Sequence, residues 1–128
     1  MPGRLDGGPM ADVPELLDAN LHRVFNNRDA DARRRVIDDI YTDDVTFTEP
    51  EGTVTGRAAL DERAAALLGR TPATFVFVED GPRYVGTSTG ALPWRFGPPD
   101  APVARGIDVI TVLDGRISEL LTVLASED

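Results

Sequence analysis

A chain of 128 residues, 41% hydrophobic and 27% charged, has the mixture of one ordinary globular domain, with no apolar run long enough to cross a bilayer. It holds 13 Arg, no Lys, no Cys and one His, so Schiff-base, thiol and multi-histidine metal mechanisms lack their residues. A net charge of −9 without a basic cluster repels a nucleic-acid backbone, and no apolar stretch of signal-peptide length follows the first Arg. The expectation is a cytoplasmic protein with neither nucleic acid nor membrane as partner.

Residues 1–12, rich in Gly and Pro, read as a flexible arm in which Met10 offers an alternative start, and 13–128 read as a single domain. Leu16, Leu17, Leu21, Val24 and Phe25 recur at helical spacing behind Pro14 and predict a first helix over 13–25. Asn26-Asn27-Arg28-Asp29 breaks it. Asp31 is the expected cap of a second helix with the apolar face Val36, Ile37, Ile40 and Tyr41, ended by Asp43 and Asp44. Val45 to Glu49 alternates strictly, and Pro50-Glu51-Gly52 turns it into a short strand, 53–55. Gly56 opens a third, alanine-rich helix over 58–68. Strands follow at 74–85, 91–96 and 103–113, and the Asp114-Gly115 turn returns the chain as a last strand, 116–124. The order predicts an α+β cone: a strongly curved, mostly antiparallel sheet wrapped over three helices from the N-terminal half, with an internal pocket.

With this inventory, chemistry reduces to proton transfer or electrostatic stabilisation, which a small domain achieves by enclosing a carboxylate among apolar groups. Alternation places Asp108 on the face of Ile110 and Val112 in the middle of an apolar strand. It reads either as a pocket acid that donates to a developing oxyanion or as a structural acid, outward-facing or paired with Arg. Glu49 shares a face with Val45 and Phe47 and reads as a general base or as a rim carboxylate. Leu92, Trp94 and Phe96 alternate on one face and line a cavity or simply fill a core. His22 is a hydrogen-bond donor in that region or a surface histidine, and Arg105 a substrate clamp or a surface arginine. Gly86-Thr-Ser88-Thr-Gly90 has the spacing of a nucleophile elbow but neither the following helix nor a downstream His. The acids Asp38, Asp39, Asp43 and Asp44 lack the Gly and the closing Glu of a calcium loop.

Tyr41-Thr-Asp-Asp-Val-Thr-Phe-Thr-Glu49-Pro50-Glu-Gly52, Gly56-Arg57 opening a helix, and Gly106-Ile-Asp108-Val-Ile-Thr-Val-Leu-Asp-Gly115-Arg-Ile117 together resemble the nuclear transport factor 2-like superfamily. Within it the pattern is similar to the SnoaL-like polyketide cyclases and ketosteroid isomerases, over roughly 13–124. The resemblance puts Glu49 where the isomerases keep a general base, Asp108 where they keep a protonated oxyanion-hole acid, and Tyr41 where a tyrosine supports the network. Two departures stand out: the base is Glu rather than Asp, and Leu21, His22 and Phe25 occupy the neighbourhood of the isomerases' main tyrosine donor. The Arg-x-Asp motif of the limonene-type epoxide hydrolases is also absent, since the spacing here is Arg105-Gly-Ile-Asp108.

The combined expectation is a cofactor-free and metal-free isomerase or cyclase acting on a small, largely apolar carbonyl or polyketide-like compound. Its expected catalytic residues are Glu49 as the base and Asp108 as the oxyanion-stabilising acid, helped by Tyr41 or His22, and its expected substrate contacts are Phe47, Trp94, Phe25, Leu92 and Ile110. The competing expectation is a non-catalytic small-molecule-binding or dimerisation module. In that second reading the outer sheet face forms a two-fold interface, and a homodimer is the expected assembly.

Overall fold

The computed structural model describes residues 11–126. The expected arm over 1–12 therefore lies, except for its last two residues, outside the described residues.

Asp12 caps α1 (Val13–Asp18) by accepting from the Glu15 N–H at 3.0 Å while the Glu15 side chain accepts from the Asp12 N–H, a reciprocal capping box with Pro14 in the first turn. The expected single helix then widens into a π-helix over Ala19–Phe25, closed by the Asn26 N–H on the Leu21 carbonyl at 3.0 Å. Wide turns of this kind recur at functional sites because they rotate side chains out of the regular helical stagger. α2 (Ala30–Ile40) is capped by Asp29, whose extended backbone lets its carboxylate accept from the Ala32 N–H at 3.1 Å. Asp31, the expected cap, instead lies inside the first turn, paired with Arg34. Asp43 and Asp44 do not end α2 either: the helix stops at Ile40 and the chain passes directly into β1 (Tyr41–Glu49).

β1 turns into β2 (Gly52–Thr55), and Gly56, at φ +100°, leads into α3 (Arg57–Gly69). The strand expected over 74–85 is broken into β3 (Val76–Glu79) and β4 (Tyr84–Val85), both paired with β5 (Thr89–Gly97). β6 (Ala104–Leu113) and β7 (Arg116–Leu124) follow, joined through Asp114 and Gly115 at φ +53° and +80°, the positive pair that a tight hairpin turn demands. The sheet runs β2-β1-β7-β6-β5-β3, with β4 beside β5; all pairs are antiparallel except β1 with β7. It is curved and unclosed, and its inner face meets the helices through Val45, Phe47, Leu92, Trp94, Ile110, Ile117 and Leu120.

One glycine is required where the sheet approaches the site. A Cβ on Gly106 would lie 2.5 Å from the Val123 carbonyl oxygen and 2.6 Å from the Trp94 ring, so the indole lies across a bare backbone. Gly106→Ala is therefore expected to destabilise the fold by about 1–3 kcal/mol through overpacking. Urea unfolding followed by the fluorescence of Trp94, the only tryptophan, checks this, and an unchanged midpoint and spectrum contradict it.

Candidate active site

The site follows from strand alternation. β6 sends Gly106, Asp108 and Ile110 inward and Ile107 outward, so a carboxylate sits on the apolar face with only 5% of its surface exposed. Cross-strand pairing sets Thr122 of β7 beside it, and β5 brings Trp94. Three donors converge on the carboxylate. Trp94 Nε1–H reaches Oδ1 at 3.0 Å, the Thr122 hydroxyl reaches Oδ1 at 2.8 Å, and Asn20 Nδ2 reaches Oδ2 at 2.9 Å. Asn20, 1% exposed, projects from the π-helix, and its Oδ1 accepts from the buried Tyr41 hydroxyl.

Burial and these donors pull the Asp108 proton affinity in opposite directions. Removal from water penalises the carboxylate and is the larger effect; the bonds from Thr122, Trp94 and Asn20 favour it, and the balance raises the pKa from 3.8 to about 6. Tyr41 is pushed well above 10, first by burial and then by the Asp108 charge, so it remains a hydroxyl.

The buried Asp108 and the half-buried Thr122 line a cavity of about 230 Å³. Its walls are Phe25, Phe47, Phe77, Trp94 and Phe96, with Phe77 stacked on Phe96 at 4.2 Å and edge-on to Trp94 at 5.1 Å. Glu49, Pro50, Glu51 and Arg70 form its mouth. The Glu49 carboxylate is ion-paired with Arg63 of α3, while Glu51 has only long contacts, 3.9 Å to Arg63 and 4.0 Å to Arg70.

The structure thus brings Glu49, Asp108, Phe47, Trp94 and Phe25 to one cavity. Tyr41 does not line it and reaches Asp108 only through Asn20. Leu92 and Ile110 are fully buried but belong to the core. Ile110 faces Gly90 in register, where α1 lies so close that a Gly90 Cβ would sit 2.4 Å from Val13, so the helix fills the space that the cavity occupies further along the strands. His22 points elsewhere: its Nε2 lies 2.7 Å from Glu79, beside Asp18 and Arg83. The ligand atoms of Asp18, His22 and Glu79 lie within 4.8 Å of one another, but Arg83 donates to both acids and already supplies the positive charge there. Arg105 lies on the outer face, 3.6 Å from Asp80, away from the cavity.

Sequence reasoning missed Asn20 and Arg63. The signal for Asn20 was a lone amide at an inward helical position between Leu16-Leu17 and Val24; Arg63, on an alanine-rich helix, carries no such mark.

The family described as the SnoaL-like domain matches residues 19–120. Similar solved structures include a provisionally assigned isomerase of the SnoaL-like family from Agrobacterium tumefaciens, 22% identical, with a TM-score of 0.80 over 88% of this chain and 97% of that one. A provisionally assigned SnoaL-like polyketide cyclase from Jannaschia is 15% identical, with a TM-score of 0.70 over 87% and 83% of the two chains. An NTF2-like protein of unknown function from Cytophaga hutchinsonii is 13% identical, with a TM-score of 0.67 over 88% of each chain. At these identities the likeness establishes the shared fold. A comparison with curated proteins gives no match.

Proposed function

The chain belongs to the SnoaL-like domain family, and from that premise we propose that it is a cofactor-independent acid/base enzyme, an isomerase or cyclase acting on a small, largely apolar carbonyl compound. The observation that carries this reading is Asp108: a buried carboxylate in the wall of an aromatic cavity, with a pKa of about 6. Such a group takes up and returns a proton near neutral pH, which a solvated aspartate does poorly. The isomerase and cyclase assignments of two structural neighbours agree with it.

The hydrogen bonds favour Asp108 as the acceptor. Three donors meet its two oxygens, an arrangement suited to a carboxylate and not to a neutral acid. Asp108 takes a proton alpha to the carbonyl and becomes neutral, the electron pair moves to the carbonyl oxygen as an enolate, and the proton returns at the same or another carbon. Glu49, engaged by Arg63, is the second carboxylate of the cavity and orders the mouth. The opposite assignment, Glu49 as base and Asp108 as oxyanion-stabilising acid, needs Asp108 protonated and so makes the opposite prediction for pH dependence.

Exchange of the alpha protons of 2-tetralone in D2O, followed by proton NMR, tests both without knowledge of the natural substrate. The rate is expected to exceed that of buffer, to rise as pH increases through about 6 while Asp108 ionises, and to fall by about 10²-fold or more in Asp108→Asn. A rate that falls through pH 6 transfers the base role to Glu49. Tight binding without exchange makes the protein the non-catalytic binding module.

For the partner, we propose a second copy of this chain on the outer sheet face. Ile107, Leu121 and Val123 are each about 40% exposed, and in register with Val109 they form a continuous apolar patch across β6 and β7. Arg95 and Arg105, both paired with Asp80, bound one end of the patch and Glu119 the other, and a two-fold contact is the commonest way for such a patch to be covered by a second copy. Sedimentation is expected to give a dimer for the native chain and a folded monomer for Leu121→Glu; a native monomer at about 100 µM, weaker than a micromolar-range dimer allows, contradicts this.

A further inference from the structure

The chain of bonds from Tyr41 to Asp108 has a polarity that a lone amide could not maintain. Asn20 joins the two groups, with one end of its amide toward each. An amide can turn over, exchanging oxygen for nitrogen with almost no change of shape, so its orientation is decided by its neighbours. Asp108 alone is ambivalent: as a carboxylate it wants the N–H of Asn20, and as a neutral acid it donates equally well to the oxygen. The Tyr41 hydroxyl can accept as well as donate, but its proton needs an acceptor, and Asn20 supplies it. That hydroxyl lies fully buried, stays protonated, and has Asn20 Oδ1 as its acceptor. Turning the amide over would strand that hydroxyl proton and set the Asn20 oxygen against Asp108.

We propose that Tyr41 is a positioning residue that locks the orientation of the Asn20 amide, so that Asp108 always meets an N–H donor and is held in the proton-accepting form. The lock regulates the site assigned above and rests on that reading for its catalytic meaning, though the lock itself is a property of the folded protein. The widened helical turn over Ala19–Phe25 is what carries Asn20 to a point between β1 and β6. The other groups facing Asp108 are Trp94 of β5 and Thr122 of β7, neither of which titrates here. Glu49, Glu51 and Arg70 stand at the far, open end of the cavity, and His22 faces outward onto Glu79.

The experiment is a pH titration of 13C-labelled aspartate carboxyls in native protein, Tyr41→Phe, Asn20→Leu and the double variant. Tyr41→Phe frees the amide to turn and accept from protonated Asp108, so the Asp108 midpoint is expected to rise by about one pH unit, from the hydrogen bond that the neutral acid gains. In the Asn20→Leu background the same substitution is expected to move the midpoint no further, since no amide remains to be oriented. A purely electrostatic or packing role for Tyr41 moves the midpoint in both backgrounds and overturns the proposal, as does an unmoved midpoint in Tyr41→Phe. Should the variants unfold, the native protein still decides. The Asn20 NH2 protons are expected to keep the same nuclear Overhauser contacts on both sides of the Asp108 midpoint, and contacts that change as Asp108 is protonated, the sign of an amide turning over, overturn the lock. These readouts are independent of 2-tetralone exchange, so the lock and the catalytic reading can fail separately.

Discussion

The arrangement depends on keeping one carboxylate charged in a place that disfavours charge. Withdrawing a carboxylate from water costs several kcal/mol even after relaxation, and each hydrogen bond to a charged group returns about 1.5–3 kcal/mol. Three donors therefore offset most of the cost to Asp108 without cancelling it. The rise of its pKa from 3.8 to about 6 measures the remainder, about 3 kcal/mol at about 1.4 kcal/mol per tenfold change in affinity. At pH 7 the group is then roughly nine-tenths ionised, close enough to its midpoint to accept a proton and give it back.

Much of the fold exists to meet that requirement. The three donors come from three elements distant in sequence: β5 and β7 flank β6 and set Trp94 and Thr122 beside Asp108 by strand pairing, and the π-helix packed on the inner face adds Asn20. Gly106 leaves the backbone bare so that the Trp94 indole can lie over β6 and reach Asp108. The aromatic side chains give the cavity apolar walls, and the Glu49–Arg63 pair arranges the mouth without adding net charge.

Strand alternation made Asp108, Phe47 and Trp94 legible from the sequence, because a period of two decides which residues share a face once a strand is recognised. The helices were legible from their own period of about 3.6 residues, and the Gly, Pro and Asp residues between segments gave the order of elements. The first helix was harder: its apolar spacing predicts 13–25 correctly as helical, yet nothing in a 3.6-residue period announces that the second half is wound as a π-helix, and that winding is what places Asn20. Leu92 and Ile110 show the converse error. Alternation puts them on the inner face, but whether an inner face borders a cavity or a helix is settled by the tertiary approach of α1. His22 was misassigned for a related reason, since its ring finds Glu79 at 2.7 Å on the outside of the helix.

The most direct measurement is the titration of the Asp108 carboxyl in the native protein by 13C NMR, repeated with 2-naphthol, a planar phenol, in the cavity. The account predicts a single midpoint near 6 without the phenol and a displaced Asp108 signal with it. A midpoint at the ordinary value near 4, unmoved by the phenol, would mean a solvated carboxylate remote from any ligand, and would contradict both the site and the function built on it.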